Sequence, residues 1–138
     1  MKIAFFRTNG KIYDRRGRKI KYYHDVPEVL NRLKNLGYEL AVASRTSEIE
    51  GAYELLDLLG WKKYFKYFEI YPGCKITHIR KIATDSGSEL SEILFFDDEF
   101  RNIRDLESIG TKSILVDEGI SLDVVSTGIQ VFVNRDLE

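Results

Sequence analysis

The chain has 138 residues, 43% hydrophobic and 31% charged, which predicts one globular domain spanning 1–138 rather than a disordered chain or several domains. Its formal net charge is −1, so no general positive field draws it to nucleic acid. No apolar run approaches the roughly 20 residues that span a bilayer, the N-terminus lacks the pattern of a signal peptide, and Cys74 is the single cysteine. We therefore expect a cytoplasmic protein with no membrane partner and no nucleic-acid partner.

The first half of the chain alternates strand and helix patterns. Residues 3–6 and 40–43 are wholly apolar, which is typical of strands buried on both faces of a sheet. Between them, the apolar stripe of residues 27–36 predicts a helix that Asp25 would cap, and residues 11–23 read as a hairpin or loop. A second helix should run to residue 59, with Thr46 or Ser47 as its cap and Glu50 in capping-box spacing with Ser47.

The second half continues the alternation. Strands are predicted at residues 68–71, 93–96 and 113–116, and helices at residues 75–84 and 101–109, with a short helix near 121–126. Five short apolar strands separated by helices predict an α/β domain with a doubly wound parallel sheet of about five strands and no large cap domain. Such sheets bind their ligands outside the carboxyl ends of the strands.

Four polar residues follow the predicted strands at that edge: Ser44, Lys75, Asp97 and Asp98. Two adjacent carboxylates after a buried strand call for a balancing cation, and Mg²⁺ prefers carboxylate oxygens together with water and phosphate. A lysine and a hydroxyl at a helix start suit a phosphate group. Taken singly, each residue is an ordinary helix cap or surface side chain, so their convergence predicts the phosphate and metal site.

Other polar and aromatic residues have plainer interpretations. His24 and His78 lie far apart without ligand spacing, so both are expected to be structural. The aromatic residues between positions 61 and 68 are expected to pack in the core and at its rim, not to bind nucleic acid.

Several segments together resemble one known family. They are residues 14–17 (DRRG), 26–30 (VPEVL), 43–52 (ASRTSEIEGA), 69–78 (EIYPGCKITH) and 95–99 (FFDDE). These segments resemble the magnesium-dependent phosphatase family, of the eukaryotic and archaeal acid phosphatase type, in the haloacid dehalogenase (HAD) superfamily. The resemblance implies a HAD-like fold and a phosphatase that uses Mg²⁺ to hydrolyse a phosphorylated small molecule or phosphoprotein.

The resemblance also implies roles for individual residues. Ser44 and Lys75 would act in catalysis by holding the phosphoryl oxygens, and Arg45 would join them as a cation on the substrate side. Asp97 and Asp98 would hold Mg²⁺, with Asp98 as the direct ligand.

The chain departs from the family at the nucleophile motif, an Asp-x-Asp that should follow the first strand. Aligned without a gap, Arg7 takes the nucleophile position and Asn9 the acid/base position. Aligned instead on Asp14 and the residues after it, the chain carries a deletion behind the first strand, and both aspartates are again missing. Arginine stays protonated and cannot attack phosphorus, and an asparagine cannot shuttle a proton.

Three interpretations stay open. The protein is a phosphomonoester hydrolase with an altered nucleophile motif, or an inactive pseudophosphatase that binds a phosphorylated ligand or a protein partner, or its gene model is altered at the first motif. In the first two cases we expect Ser44 and Lys75 still to bind phosphate. We also expect Arg7 to pair with Asp98 in place of the metal, so that the chain binds little Mg²⁺ and has little Mg²⁺-dependent activity.

Overall fold

The computed structural model describes residues 3–6, as backbone only, together with residues 26–116 and 122–134. The segment that holds Arg7 and Asn9, the predicted loop at 11–23, His24 and the predicted Asp25 cap lie outside the described residues. No helix in the described part of the chain is both long and apolar enough to cross a bilayer.

The described residues form one parallel five-stranded sheet. Its strands are β1 (Ile3–Phe6), β2 (Glu39–Ser44), β3 (Tyr67–Ile70), β4 (Ile93–Asp97) and β5 (Lys112–Leu115), in the order β3-β2-β1-β4-β5. The chain builds β1, β2 and β3 in one direction and then returns to place β4 on the other side of β1. Because Phe6 is level with both Val42 and Phe96, the carboxyl ends of β2 and β4 flank that of β1. Ligands bind at such a switch point in doubly wound sheets.

Five α-helices cover the sheet: α1 (Val26–Asn35), α2 (Ile49–Leu58), α3 (Lys75–Ser86), α4 (Phe100–Glu107) and α5 (Leu122–Asn134). Successive side chains of β2 point to opposite faces, so each face has its own apolar cluster. Leu40 and Val42 belong to a cluster with residues of α1, α2 and α5. Ala41 and Ala43 belong to a second cluster with residues of α3 and α4.

The predicted fold class is confirmed, but two local predictions are wrong. The Ser47–Glu50 capping box does not form: α2 begins at Ile49 with Glu48 as N-cap, and Thr46 Oγ1 instead accepts a hydrogen bond from the Glu48 amide at 3.0 Å. That turn satisfies the Glu48 amide one residue before the helix begins.

The predicted short helix near 121–126 is the start of the 13-residue α5. Val125 and Phe132 are buried, so apolar contacts in the second half extend the helix. Gly128 lies so close to β4 that an added Cβ would stand 2.8 Å from the Phe96 ring. This close approach explains why a residue of poor helix propensity occurs in the middle of α5.

Candidate active site

Lys75 is buried at the carboxyl edge of the sheet. It is the first residue of α3, its side chain is 0% exposed, and Nζ donates hydrogen bonds to the Ala43 carbonyl oxygen at 2.7 Å and to Asp97 Oδ2 at 3.2 Å. Those acceptors lie near the ends of β2 and β4. A buried ammonium is tolerated only when it is paired and hydrogen-bonded, and both conditions hold here. The structure thus excludes the interpretation of Lys75 as a surface side chain.

Asp97, the last residue of β4, is the carboxylate that Lys75 contacts. It is 0% exposed, its Oδ1 accepts a hydrogen bond from the Glu99 amide at 2.9 Å, and its Oδ2 accepts one from Asn102 Nδ2 at 2.9 Å. Hydrogen bonds therefore reach both carboxylate oxygens from three donors, which fixes the orientation of the group. The neighbouring Asp98 is exposed.

Asn102 is a site residue that the sequence did not reveal. It lies in α4, is 1% exposed, and joins Asp97 to Arg45, whose NH1 donates to Asn102 Oδ1 at 3.4 Å. Its place five residues after Asp97, in the first turns of the next helix, was the available signal. The contact fixes Arg45 relative to the buried Lys75–Asp97 pair.

Arg45 occupies the outer side of this network. Its NH1 is 3.8 Å from Glu99 Oε2, and its side chain is 28% exposed. Its Nε is buried and makes no hydrogen bond to any described residue. A buried guanidinium N–H without a partner is uncommon in proteins. The predicted role of Arg45 as a cation on the substrate side stays a prediction.

Ser44 ends β2 and is 3% exposed. Its Oγ accepts a hydrogen bond from the Thr46 amide at 3.3 Å, so the loop between β2 and α2 turns tightly around the hydroxyl. Lys75 Nζ bonds to the carbonyl of the preceding Ala43, which brings Ser44 and Lys75 into one region as the sequence predicted. Their roles in binding phosphate stay predictions.

His78 lies one turn into α3 and is 0% exposed. Its Nδ1 lies 2.9 Å from the Cys74 carbonyl oxygen, and its Nε2 lies 2.7 Å from the carbonyl oxygen of Tyr71 and 3.0 Å from that of Ser44. The ring stacks on Tyr71 with 4.3 Å between centroids. Burial, followed by the hydrogen bond to Glu69, raises the pKa of Tyr71 to about 12.

The magnesium site that the sequence predicted at Asp97 and Asp98 stays a prediction. Carboxylate oxygens suit Mg²⁺, and Asp97 and Asp98 supply them at the edge where a phosphate group would lie. No cluster of three or more His, Cys, Asp or Glu side chains that could hold a metal occurs within residues 26–116 and 122–134. The position after β1, where the family would add a further carboxylate, lies outside the described residues and carries Arg7 in the sequence. The pairing of Arg7 with Asp98 stays a prediction.

Comparison with known proteins gives a consistent result. Residues 3–135 match the model of the acid phosphatase family. Magnesium-dependent phosphatase 1 of Homo sapiens is 46% identical over 125 residues, which cover 91% of this chain and 71% of the human protein. A HAD-like hydrolase superfamily protein of Schizosaccharomyces pombe is 34% identical, with 85% of this chain and 73% of that protein covered.

Solved structures agree in fold. The N-terminal part of a Bacteroides fragilis protein, containing a phosphatase domain and complexed with Mg, superimposes with a TM-score of 0.73 at 17% identity. The match covers 91% of this chain and 39% of that one. An uncharacterised protein of Corynebacterium glutamicum superimposes with a TM-score of 0.70 at 13% identity, with 96% of both chains covered.

Proposed function

Because this chain belongs to the acid phosphatase family, among the magnesium-dependent phosphatases of the HAD superfamily, we propose that it is a phosphomonoester hydrolase of that type. In this proposal the phosphate site is retained and the nucleophile motif is altered. The observation that carries the proposal is the buried Lys75–Asp97 pair, joined through Asn102 to Arg45. A fully buried lysine held at the ligand-binding edge of a sheet is costly to maintain and suits an anion site.

Each residue has a distinct part in binding the phosphoryl group. The ammonium of Lys75 would neutralise one phosphoryl oxygen, and the hydroxyl of Ser44 would donate a hydrogen bond to another. Arg45 would contact the substrate from the outer side, where Asn102 holds its guanidinium. Asp97 accepts a hydrogen bond from Lys75 and fixes its ammonium in position. Asp98, with Asp97, would hold Mg²⁺, which when bound would offset the negative charge of the phosphoryl group.

Phosphate binding and phosphate-ester hydrolysis depend on different residues, and hydrolysis depends on those that follow the first strand. A HAD-type phosphatase transfers the phosphoryl group to an aspartate, and in the gap-free alignment Arg7 and Asn9 take the places of the two aspartates. Without a nucleophile, a group-transfer step loses the covalent route that lowers its barrier. We therefore expect phosphate binding together with weak Mg²⁺-dependent hydrolysis.

The alternative function is that of a pseudophosphatase, and the observation that favours it is the same Arg7. A permanent cation there can pair with Asp98 and displace the metal, which leaves a site that binds a phosphorylated small molecule or a phosphoprotein without hydrolysing it. The sequence has no large insertion for a cap domain, so a protein surface could reach the site.

One set of measurements tests both functions. Calorimetry should detect inorganic phosphate bound by the wild type, and Ser44→Ala should weaken that binding, whereas Ser108→Ala, at the exposed end of α4, should not. Failure of the wild type to bind phosphate would refute the retained site.

Hydrolysis of an aryl phosphate with and without EDTA then separates the two classes. EDTA-sensitive turnover by the wild type supports the hydrolase, and its absence supports the pseudophosphatase. The variant Arg7→Asp with Asn9→Asp should gain Mg²⁺ binding. Tight Mg²⁺ binding by the wild type would contradict the pairing of Arg7 with Asp98.

A further inference from the structure

His78 faces three hydrogen-bond acceptors and is fully buried. The acceptors are the carbonyl oxygens of Ser44, Tyr71 and Cys74, hereafter the carbonyl cluster, at 2.7–3.0 Å from the two ring nitrogens. They belong to three places: the end of β2, the loop after β3, and the residue before α3. The histidine thus contacts both of the segments that carry Ser44 and Lys75.

The chemistry of the ring decides how these contacts are made. A carbonyl oxygen only accepts hydrogen bonds, and a neutral imidazole has one N–H and one bare nitrogen. At 2.9 Å from the Cys74 carbonyl, a bare Nδ1 would place two lone pairs against each other. Either tautomer therefore donates its N–H into the carbonyl cluster, and the Tyr71 ring stacked on His78 at 4.3 Å holds the plane of the imidazole.

The orientation of the carbonyl cluster has a consequence for the neighbouring amides. In a trans peptide group the C=O and the N–H point in opposite directions, and the described residues contain no cis peptide. With the Ser44 and Cys74 carbonyls turned toward His78, the amides of Arg45 and Lys75 point away from the ring. These two amides lie beside the side chains that hold the phosphate in the proposed site, where backbone N–H groups bind anions well.

We propose that His78 is a positioning residue whose buried ring holds the carbonyl cluster in place, and so keeps the Arg45 and Lys75 amides turned toward a bound phosphate group. The phosphate part rests on the proposed function. The hydrogen-bonding part does not, because it concerns the ring and three carbonyls alone.

The first test observes the ring itself. In ¹⁵N-labelled wild-type protein, the His78 ring should show a one-bond N–H correlation, assigned by its loss in His78→Phe. Burial and the hydrogen bond to the carbonyl cluster protect this proton from exchange, and His24 is the one other histidine. A His78 ring with no protected N–H would overturn the proposal.

The second test separates positioning from stability. His78→Phe keeps an aromatic ring against Tyr71 but removes both ring nitrogens that face the carbonyl cluster. It should weaken binding of inorganic phosphate by about tenfold, the fold-change that ~1.4 kcal/mol produces. The matched control is Ile82→Ala, one turn further along α3 and also 0% exposed, which should lower the Tm and leave the Kd unchanged. A lower Tm with an unchanged Kd in His78→Phe would overturn the proposal.

Two further outcomes also test the proposal: a wild type that binds no phosphate, and a His78→Phe variant that does not fold. If the wild type binds no phosphate, the proposed function fails. The His78 contacts are then tested by the ring N–H signal and by the amide resonances of Arg45 and Lys75. Those resonances should shift in His78→Phe and stay in place in Ile82→Ala, and unshifted amides count against the proposal. If His78→Phe does not fold, His78→Gln, which donates from one nitrogen only, should show a smaller change in the same direction.

Discussion

Removal of the buried charge of Lys75 should destabilise the protein far more than removal of an exposed lysine on the same helix. In Lys75→Met, Asp97 stays 0% exposed and keeps its hydrogen bonds from the Glu99 amide and Asn102, but it loses the ammonium at 3.2 Å. The Ala43 carbonyl oxygen also loses a donor at 2.7 Å.

The magnitude follows from the desolvated state of the pair. Breaking a buried ion pair by removing one partner costs about 3–5 kcal/mol, because the other charge stays buried and loses the ammonium that faced it. At about 4 °C per kcal/mol for a domain of this size, the Tm should fall by roughly 10–20 °C. The loss is a large part of the ~5–15 kcal/mol by which native proteins are stable, so unfolding is best measured at low temperature.

The assay is denaturant unfolding followed by the fluorescence of Trp61, the single tryptophan, which is 7% exposed in the folded state. The matched control is Lys81→Met, the same substitution on α3 at an exposed lysine paired with Asp85. Its effect should fall within the error of the measurement, because solvent screens exposed pairs.

A second variant checks the cause. Adding Asp97→Asn to Lys75→Met removes the carboxylate charge that lost its ammonium and should recover at least about 1 kcal/mol of the loss, the size of coupling expected between residues in contact. Equal effects of Lys75→Met and Lys81→Met, or a double variant no more stable than Lys75→Met, would refute the account of the site as a buried, charge-paired network.

Two more predictions follow from other parts of the structure. Tyr71 has its pKa raised from 10.0 to about 12 in the folded state, so its neutral form contributes stability that is complete below about pH 10 and is lost as the pH rises to about 12. The difference in free energy of unfolding between the wild type and Tyr71→Phe should therefore shift against the wild type across that range, and parallel pH curves would contradict the assignment. Gly128→Ala would place a Cβ 2.8 Å from the Phe96 ring. Overpacking of about 1–3 kcal/mol exceeds the helix-propensity gain of about 0.5–1 kcal/mol, so the variant should be less stable by roughly 1–2 kcal/mol in the same unfolding assay, and a stabilised variant would show that α5 can move away from β4.

Local pattern predicted the fold class well. Apolar runs of four to six residues mark strands that both faces of a parallel sheet bury, and the strands of the structure lie within one or two residues of those runs. The order of the elements also predicted which residues follow the strands at the carboxyl edge of the sheet. In the structure, Ser44, Lys75 and Asp97 lie there in one region. Sequence reasoning failed where competing local contacts decide, as at the start of α2, where Glu48 and neither Thr46 nor Ser47 is the N-cap, and Thr46 accepts a hydrogen bond from the Glu48 amide instead.

The sequence by itself determined the alternation of strands and helices and the family, because both are written in the type and spacing of neighbouring residues. Only the tertiary structure decided that Lys75 is buried against Asp97, that Asn102 connects Asp97 to Arg45, and that His78 meets three carbonyls. These contacts join residues 22, 57 and 34 positions apart. A polar side chain is buried only when partners satisfy its hydrogen bonds, and partners so distant along the chain come together only through the packing of the sheet.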